Sequence, residues 1–249
     1  MKLSISAASH VGCVRQNNED MALVGDKFIR NGKHWTMVDT ENTDFDRYLV
    51  ALADGMGGHS SGEVASSEVL HNLQYYFNDL PSKMSVEDFN EAIFEWLESI
   101  NNIIDSKGHV EPRYAGMGTT LVALAYYNSE FYWMNCGDSR FYRMHGSALQ
   151  QLSTDHSLSN LMGSEEHSNV ITNCIGGGCK TSYIDVVQCT PEVCEGDVLL
   201  LCSDGLTDML TDMEILTLLE NGADATKLCK AAELAGGYDN VSAVVIKLV

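Results

Sequence analysis

TTLVALAYYNSEFYWMNCGDSRFYRMHGSALQQL, residues 119–152, holds four short runs of apolar, β-branched and aromatic residues, each cut off by turn formers. The runs are Thr119–Tyr127, Phe131–Cys136, Phe141–Met144 and Leu149–Leu152. Asn128-Ser129, Gly137-Asp138 and His145-Gly146 separate them. Short strands joined by tight polar turns predict an antiparallel meander. Working upstream, Tyr48–Ala53 is a continuous apolar run that fits a strand buried on both faces. Residues 25–47 are polar and read as a loop, with a strand near Trp35–Val38. Met21–Val24 suits a strand, and Ile5, Ala7 and Ser9 alternate with polar residues as an opening strand would.

Between these segments the period becomes helical. Val64, Val69, Leu70, Leu73 and Phe77 fall on one helical face. After Pro81, Ser85 and Asp88 suit an N-terminal cap, and Phe89, Ile93, Trp96, Ile100 and Ile103 form an apolar stripe. Downstream of the meander, residues 155–180 are polar and Gly-rich and predict a mobile loop. Tyr183–Cys189 and Val198–Cys202 return to strand. Two helices follow, Asp212–Leu219 (capped by Thr211 with Glu214) and Ala225–Leu234, and Val241–Val249 closes the chain as a strand. Strands, two helices, many strands, two helices, strand is not the alternation of a βαβ fold. It predicts an α+β fold, a four-layer α-β-β-α sandwich of two antiparallel sheets flanked by helices. No linker or repeat divides the 249 residues, so one domain over 1–249 is expected.

The formal net charge of −20 argues against nucleic acid and against an anionic membrane surface. A solvated acidic surface accounts for it. None of the eight cysteines forms a C-x-x-C pair, so a zinc ribbon is not expected. Met1-Lys2-Leu3-Ser4-Ile5-Ser6 is too short and polar for a secretory leader, and no stretch reaches the roughly 20 apolar residues of a membrane span. Reduced thiols in the cytoplasm are the expectation.

Acidic groups mark the chemistry. Asn18-Glu19-Asp20, Asp54-Gly55-Met56-Gly57-Gly58-His59, Gly137-Asp138-Ser139-Arg140, Ser203-Asp204-Gly205 and Asp239-Asn240 nearly all end, or directly follow, apolar runs. Carboxylates at strand ends are hard oxygen ligands suited to Mg²⁺ or Mn²⁺. Five such groups, far apart in sequence, point to one metal centre and to phosphate chemistry on it. Arg15, one of only 15 Lys and Arg residues, lies close by and has the fork geometry for a phosphate.

The ordered set Arg15-x-x-Asn18-Glu19-Asp20, Asp54-Gly-Met-Gly-Gly-His59, Gly116-x-Gly118-Thr119-Thr120, Gly137-Asp-Ser-Arg140, Asp155-His-Ser157, Ser203-Asp-Gly-Leu206 and Gly237-x-Asp239-Asn240-Val-Ser242 resembles the metal-dependent Ser/Thr protein phosphatases of the protein phosphatase 2C family. The likeness is to the bacterial single-domain type, from about residue 8 to the C-terminus. It implies hydrolysis of phosphoserine and phosphothreonine by a water bridging two Mn²⁺ or Mg²⁺ ions, with a weaker third ion as in bacterial relatives. Carried over, Asp54 would bridge the two ions, and Asp204 and Asp239 would complete one shell. Glu19, through water, and the Gly55 carbonyl would serve the other. Asp20 would support the shell, Asp138 would join Asp204 at the third ion, Arg15 would hold the phosphate, and Asn240 would orient its neighbours.

The resemblance also implies phosphoprotein substrates, a cognate Ser/Thr kinase and a monomer. The sequence departs from it in two places. Met56 stands where eukaryotic relatives carry a proton-donating His, leaving His59 and His156 as structural residues. The flap, about 157–178, is short and reads Thr172-Asn173-Cys174-Ile175-Gly176. Cys174 and Cys179 flank a Gly-rich turn and are expected as free surface thiols, with redox sensitivity the alternative. A phosphoprotein-binding domain without activity, and a metal-dependent phosphodiesterase or small-molecule phosphatase, are the alternatives. Loss of metal ligands would mark the first, and none is missing.

Overall fold

The computed structural model describes residues 1–42, 46–57, 61–163 and 170–249. One six-stranded antiparallel sheet contains β1 (Lys2–His10), β4 (Gly32–Asp39), β10 (Arg140–His145), β11 (Ala148–Gln151), β14 (Val198–Cys202) and β15 (Val241–Leu248), in the order β11-β10-β14-β15-β1-β4. A second contains β2 (Met21–Val24), β3 (Lys27–Ile29), β5 (Arg47–Ala53), β8 (Leu121–Tyr127), β9 (Glu130–Cys136) and β13 (Asp185–Gln188), in the order β13-β9-β8-β5-β2-β3. Three short strands, β6 (Gly55–Met56), β7 (Gly118–Thr119) and β12 (Ile175–Gly176), make a small sheet ordered β12-β7-β6.

Strand alternation builds the layers. In β8, Val122, Leu124 and Tyr126 point toward the other sheet and join Ile5, Leu201, Val244 and Ile246 in one apolar cluster. Leu121, Ala123 and Ala125 point the opposite way, into a cluster with α1 (Ser61–Asp79) and α2 (Val86–Val110). The outer face of the first sheet packs Leu200, Ala243 and Val245 against α5 (Asp212–Glu220) and α6 (Ala225–Leu234). Three clusters between four layers give the expected α-β-β-α sandwich. Val69, Leu70, Leu73 and Phe77 of α1 are fully buried, each stabilising the fold by about 1.5–3 kcal/mol.

The helix signals act as read. Ser85 Oγ accepts the Asp88 N–H at 3.1 Å, and Thr211 and Glu214 form a reciprocal capping box. Several expectations need correction. The meander over 119–152 is two hairpins, because β8 and β9 pair in one sheet and β10 and β11 in the other. Residues 25–47 are not mainly loop, because β3 and β4 lie there. The strand expected near Trp35–Val38 is there but runs over the whole of β4, and β3 is added; both are edge strands that gain their order from pairing with β1 and β2. The α2 stripe continues to Ile104, fully buried, while Ile103 is exposed, since the helical pitch carries the step from Ile100 to Ile104. The 155–180 stretch contains α3 (Leu158–Met162) and β12, and its residues 164–169 lie outside the described residues.

Candidate metal centre

Register gathers the acidic groups at one end of the sandwich. Met21 pairs with Ala53, so Asp20 and Asp54, each the next residue outward, become neighbours. Arg140 pairs with Cys202 and Cys202 with Ala243. The start of β10, the end of β14 and the start of β15 therefore meet, bringing Asp138, Asp204 and Asp239 together. Asp204 opens the short helix α4 (Asp204–Thr207). At this end Ser203 Oγ donates to Asp20 Oδ2 at 2.8 Å, a bond between the two sheets.

Each group is held by its backbone. The Asp54 N–H donates to Thr120 Oγ1 at 3.1 Å, its carbonyl accepts from Thr119 Oγ1 at 2.7 Å, and the Thr120 N–H donates to the same carbonyl at 2.9 Å. The Asp54 carboxylate is thus left for other partners. Gly55 is required by close approach, because a Cβ there would lie 2.1 Å from the Gly62 carbonyl oxygen and 2.7 Å from that of Glu19. Gly205 is required likewise, with the Asn240 carbonyl oxygen 1.9 Å from any Cβ.

Asn240 is a clamp. Its Oδ1 accepts the Glu19 N–H at 2.8 Å, and its Nδ2 donates to the carbonyls of Val11 and Asn17 at 2.9 and 2.8 Å. It therefore fixes both ends of the loop that carries Arg15 and Glu19. The structure adds residues to which sequence reasoning gave no role: Ser203, Thr119 and Thr120, already described, and Arg30. Arg30 Nε donates to the Asp20 carbonyl at 2.9 Å and its Nη2 to Ser66 Oγ at 2.8 Å. Ser203, Thr119 and Thr120 stand inside the quoted motifs. Arg30 sits in a stretch read as loop and carried no signal.

Electrostatically the centre lacks compensation. Burial raises the Asp54 carboxyl well above its ordinary value, and the charges of Asp20, Asp204, Asp138 and Asp239 raise it further. Asp204 is raised by burial and then by Asp138, Asp208, Asp239 and Asp20. Burial also raises Asp20, against the lowering effect of its hydroxyl hydrogen bonds, and lifts Asp138 to about 6. Glu19 is raised by burial, with Arg15 opposing.

Two buried carboxylate oxygens, Asp20 Oδ1 and Asp138 Oδ1, have no hydrogen-bond partner. Buried carboxylates that face one another and keep free lone pairs are a donor set for a hard divalent cation. Their oxygens stand apart. Among the described residues, the only trio of His, Cys, Asp or Glu side chains with ligand atoms all within 4.8 Å of one another is His145, Cys194 and Asp197, at the opposite end of β10.

Arg15 enters the centre differently from expectation. Its Nη2 donates to Asp239 Oδ2 at 2.6 Å, so the residue expected to hold phosphate is paired with a residue expected to hold metal. Its guanidinium is half-exposed, and Asp239, Glu19 and Asp54 stabilise its charge. Met56 is half-buried beside Gly55, and His59 lies outside the described residues. His156 has the structural place expected of it. It is buried, accepts the Gly137 N–H at Nδ1 (3.1 Å), and faces Asp185 Oδ2 through Nε2 at 3.1 Å.

A family model described as Protein phosphatase 2C matches residues 35–235. The chain is 33% identical to the protein phosphatase PhpP of Streptococcus pneumoniae, over 99% of this chain and 98% of that one. It is 31% identical to the serine/threonine protein phosphatase PstP of Mycobacterium tuberculosis, over 99% of this chain but 45% of PstP, so it spans about half of that relative's length. The catalytic domain of PstP, solved in complex with two manganese ions, superposes with a TM-score of 0.73 at 30% identity, covering 99% of each chain. The match of the family model over most of the chain and the full-length identity to PhpP place this chain in the protein phosphatase 2C family.

Proposed function

We propose that the chain is a metal-dependent protein phosphatase that hydrolyses phosphoserine and phosphothreonine, with residues 1–249 acting as one catalytic domain. The observation that carries this reading is the convergence of Asp20, Asp54, Asp138, Asp204 and Asp239 at one sandwich end with two of their oxygens unpartnered. Family membership supports it, as does the two-manganese structure of PstP.

Asp54 would lie between two Mn²⁺ or Mg²⁺ ions, with Asp204 and Asp239 on one and Glu19 and the Gly55 carbonyl on the other. Asp138 with Asp204 would hold a weaker third. When bound, such ions make a water acidic near neutral pH and offset the charge of the phosphoryl group. The chain's own residues position the rest. Asn240 fixes the Arg15–Glu19 loop, and Thr119 and Thr120 aim the Asp54 carboxylate by holding its backbone. Ser203 orients Asp20. Arg15, once Asp239 is engaged elsewhere, presents its fork to the substrate phosphate.

Phosphoproteins made by a partner Ser/Thr kinase are the substrates of this reading. The net charge of −20 disfavours nucleic acid and anionic membrane as partners. A cytoplasmic monomer is part of the same proposal. Two facts are in keeping with that location: all eight cysteines are free, and no helix among the described residues is long and apolar enough to cross a membrane. Hydrolysis of a phosphothreonine peptide with Mn²⁺, with Mg²⁺ and with EDTA tests it. Turnover that requires either metal and stops in EDTA is expected. Folded protein inactive with both metals would instead favour a phosphoprotein-binding domain.

A further inference from the structure

Cys174 is not the surface thiol expected from the sequence. It is 4% exposed, whereas Cys179 is half-buried. Their sulfurs lie 3.4 Å apart across the turn Ile175-Gly176-Gly177-Gly178. All three glycines have left-handed φ values of 76, 61 and 81°, and the Cys179 N–H closes the turn on the Gly176 carbonyl at 2.9 Å. Asn101 of α2 clamps both sides. Its Oδ1 accepts the Gly176 N–H at 2.7 Å and its Nδ2 donates to the Cys179 carbonyl at 3.1 Å. Ser182 Oγ bridges Asn101 and the Cys174 carbonyl. The backbone thus already holds the two sulfurs face to face. Shortening the gap to the roughly 2.05 Å of a disulfide asks for about 1.4 Å of movement.

We propose that Cys174 and Cys179 are an oxidation site at which a hydroperoxide forms a reversible intramolecular disulfide. Access sets the order of events. Cys179, the more exposed sulfur, attacks the peroxide as thiolate. The O–O bond breaks, one oxygen leaves as water, and Cys179 becomes a sulfenic acid. The Cys174 sulfur then displaces that hydroxyl, the S–S bond forms and a second water leaves. Two thiols and one hydrogen peroxide thereby give one disulfide and two waters. Cys174 suits the resolving part because, at 4% exposed, it is shielded from the oxidant; burial pushes its thiol up to about 12, so its proton passes to the departing hydroxyl and completes the second water. Cys136 also lies close to the pair, but it is fully buried and out of reach of the oxidant, and burial pushes its thiol up as well. The disulfide would fasten β12, which pairs with β7, which pairs with the β6 strand carrying Gly55.

Reduced protein, freed of reductant and treated with hydrogen peroxide, tests this by alkylation and tryptic mapping. Residues 144–180 form one tryptic peptide containing only these two cysteines. That peptide should lose two hydrogens, resist alkylation, and regain both thiols with dithiothreitol. In Cys174→Ser, dimedone should capture a sulfenic acid on Cys179. In Cys179→Ser, Cys174 should remain a thiol. Alkylation of both cysteines, in a sample where exposed Cys13 and Cys194 have been oxidised, overturns the proposal. So does a cross-linked peptide joining Cys174 to Cys136.

Discussion

Strands β10 and β14 run between two acidic sites that have opposite fates. At one end Asp197, 1% exposed, receives the Arg143 Nε–H and faces His145 Nδ1, both at 2.7 Å, and accepts the Cys194 N–H at 3.0 Å. Burial alone would raise its carboxyl, but these partners outweigh burial and hold it below its ordinary value. At the other end Asp54, Asp138 and Asp204 are half-buried among further carboxylates and stay raised. The chain satisfies the first site by itself. The second needs a proton or an external cation. A buried carboxylate with protein cations around it is a structural element, and a group of them without such cations is a binding site.

That contrast breaks most sharply under mutation. Asp54→Asn or Asp204→Asn should lower kcat/KM for a phosphothreonine peptide by about 10³-fold or more, an electrostatic loss at the reacting centre. In metal-free protein the same changes remove an uncompensated charge, so Tm should hold or rise by a few degrees. A large fall in Tm would make these aspartates structural, like Asp197. Asp197→Asn should do the reverse. Leaving Arg143 without its buried partner should cost about 3 kcal/mol, lowering Tm by about 6–12 °C while kcat stays unchanged.

How far the sequence revealed each site follows from the same physics. Asp54, Asp204 and Asp239 stand at the ends of apolar runs, where backbone pattern alone announces a charged group at a sandwich edge. Their convergence required only that the strands pair in register. Asp197 and Arg143 gave no such sign, because their bond joins β10 to the turn before β14 through side chains 54 positions apart. Arg30 was hidden for a related reason, since its stretch gains order from pairing with distant strands. The Arg15–Asp239 bond was likewise invisible, although both residues were singled out, because motif matching assigns each residue a ligand and not a neighbour.

Titration separates the two ends by sign. Asp138 moves from an ordinary 3.8 to about 6 in the folded chain, and Asp20, Asp54 and Asp204 shift the same way. The folded protein therefore binds more protons than the unfolded one in that window. This stability is complete below about pH 4 and is lost as pH rises through 6 and beyond. Asp197 has the opposite sign, its stability being lost only as pH falls through its depressed value. Metal-free protein should melt lower at pH 8 than at pH 5. Mn²⁺ at about 100 times its dissociation constant should restore about 2.7 kcal/mol at pH 8. A metal-free Tm that climbs steadily from pH 5 to 8 would mean that the acidic cluster is compensated after all.

The smallest effect concerns Arg15, the cation paired with a carboxylate of the candidate metal centre. Arg15 is paired with Asp239 at 2.6 Å, but both side chains are partly exposed, at 55% and 36%. Exposed pairs contribute about 0.2–1 kcal/mol, which corresponds to a factor of about 1.4–5 in an equilibrium. A divalent cation must displace this bond to engage Asp239, so Arg15→Met should tighten Mn²⁺ binding by up to about fivefold in calorimetry. If Arg15 holds the substrate phosphate as proposed, the same variant should raise KM for the phosphopeptide by about tenfold. These two changes run in opposite directions, which a general loosening of the loop cannot produce. Weaker Mn²⁺ binding in Arg15→Met would show that Arg15 preorganises Asp239 for the metal rather than competing with it.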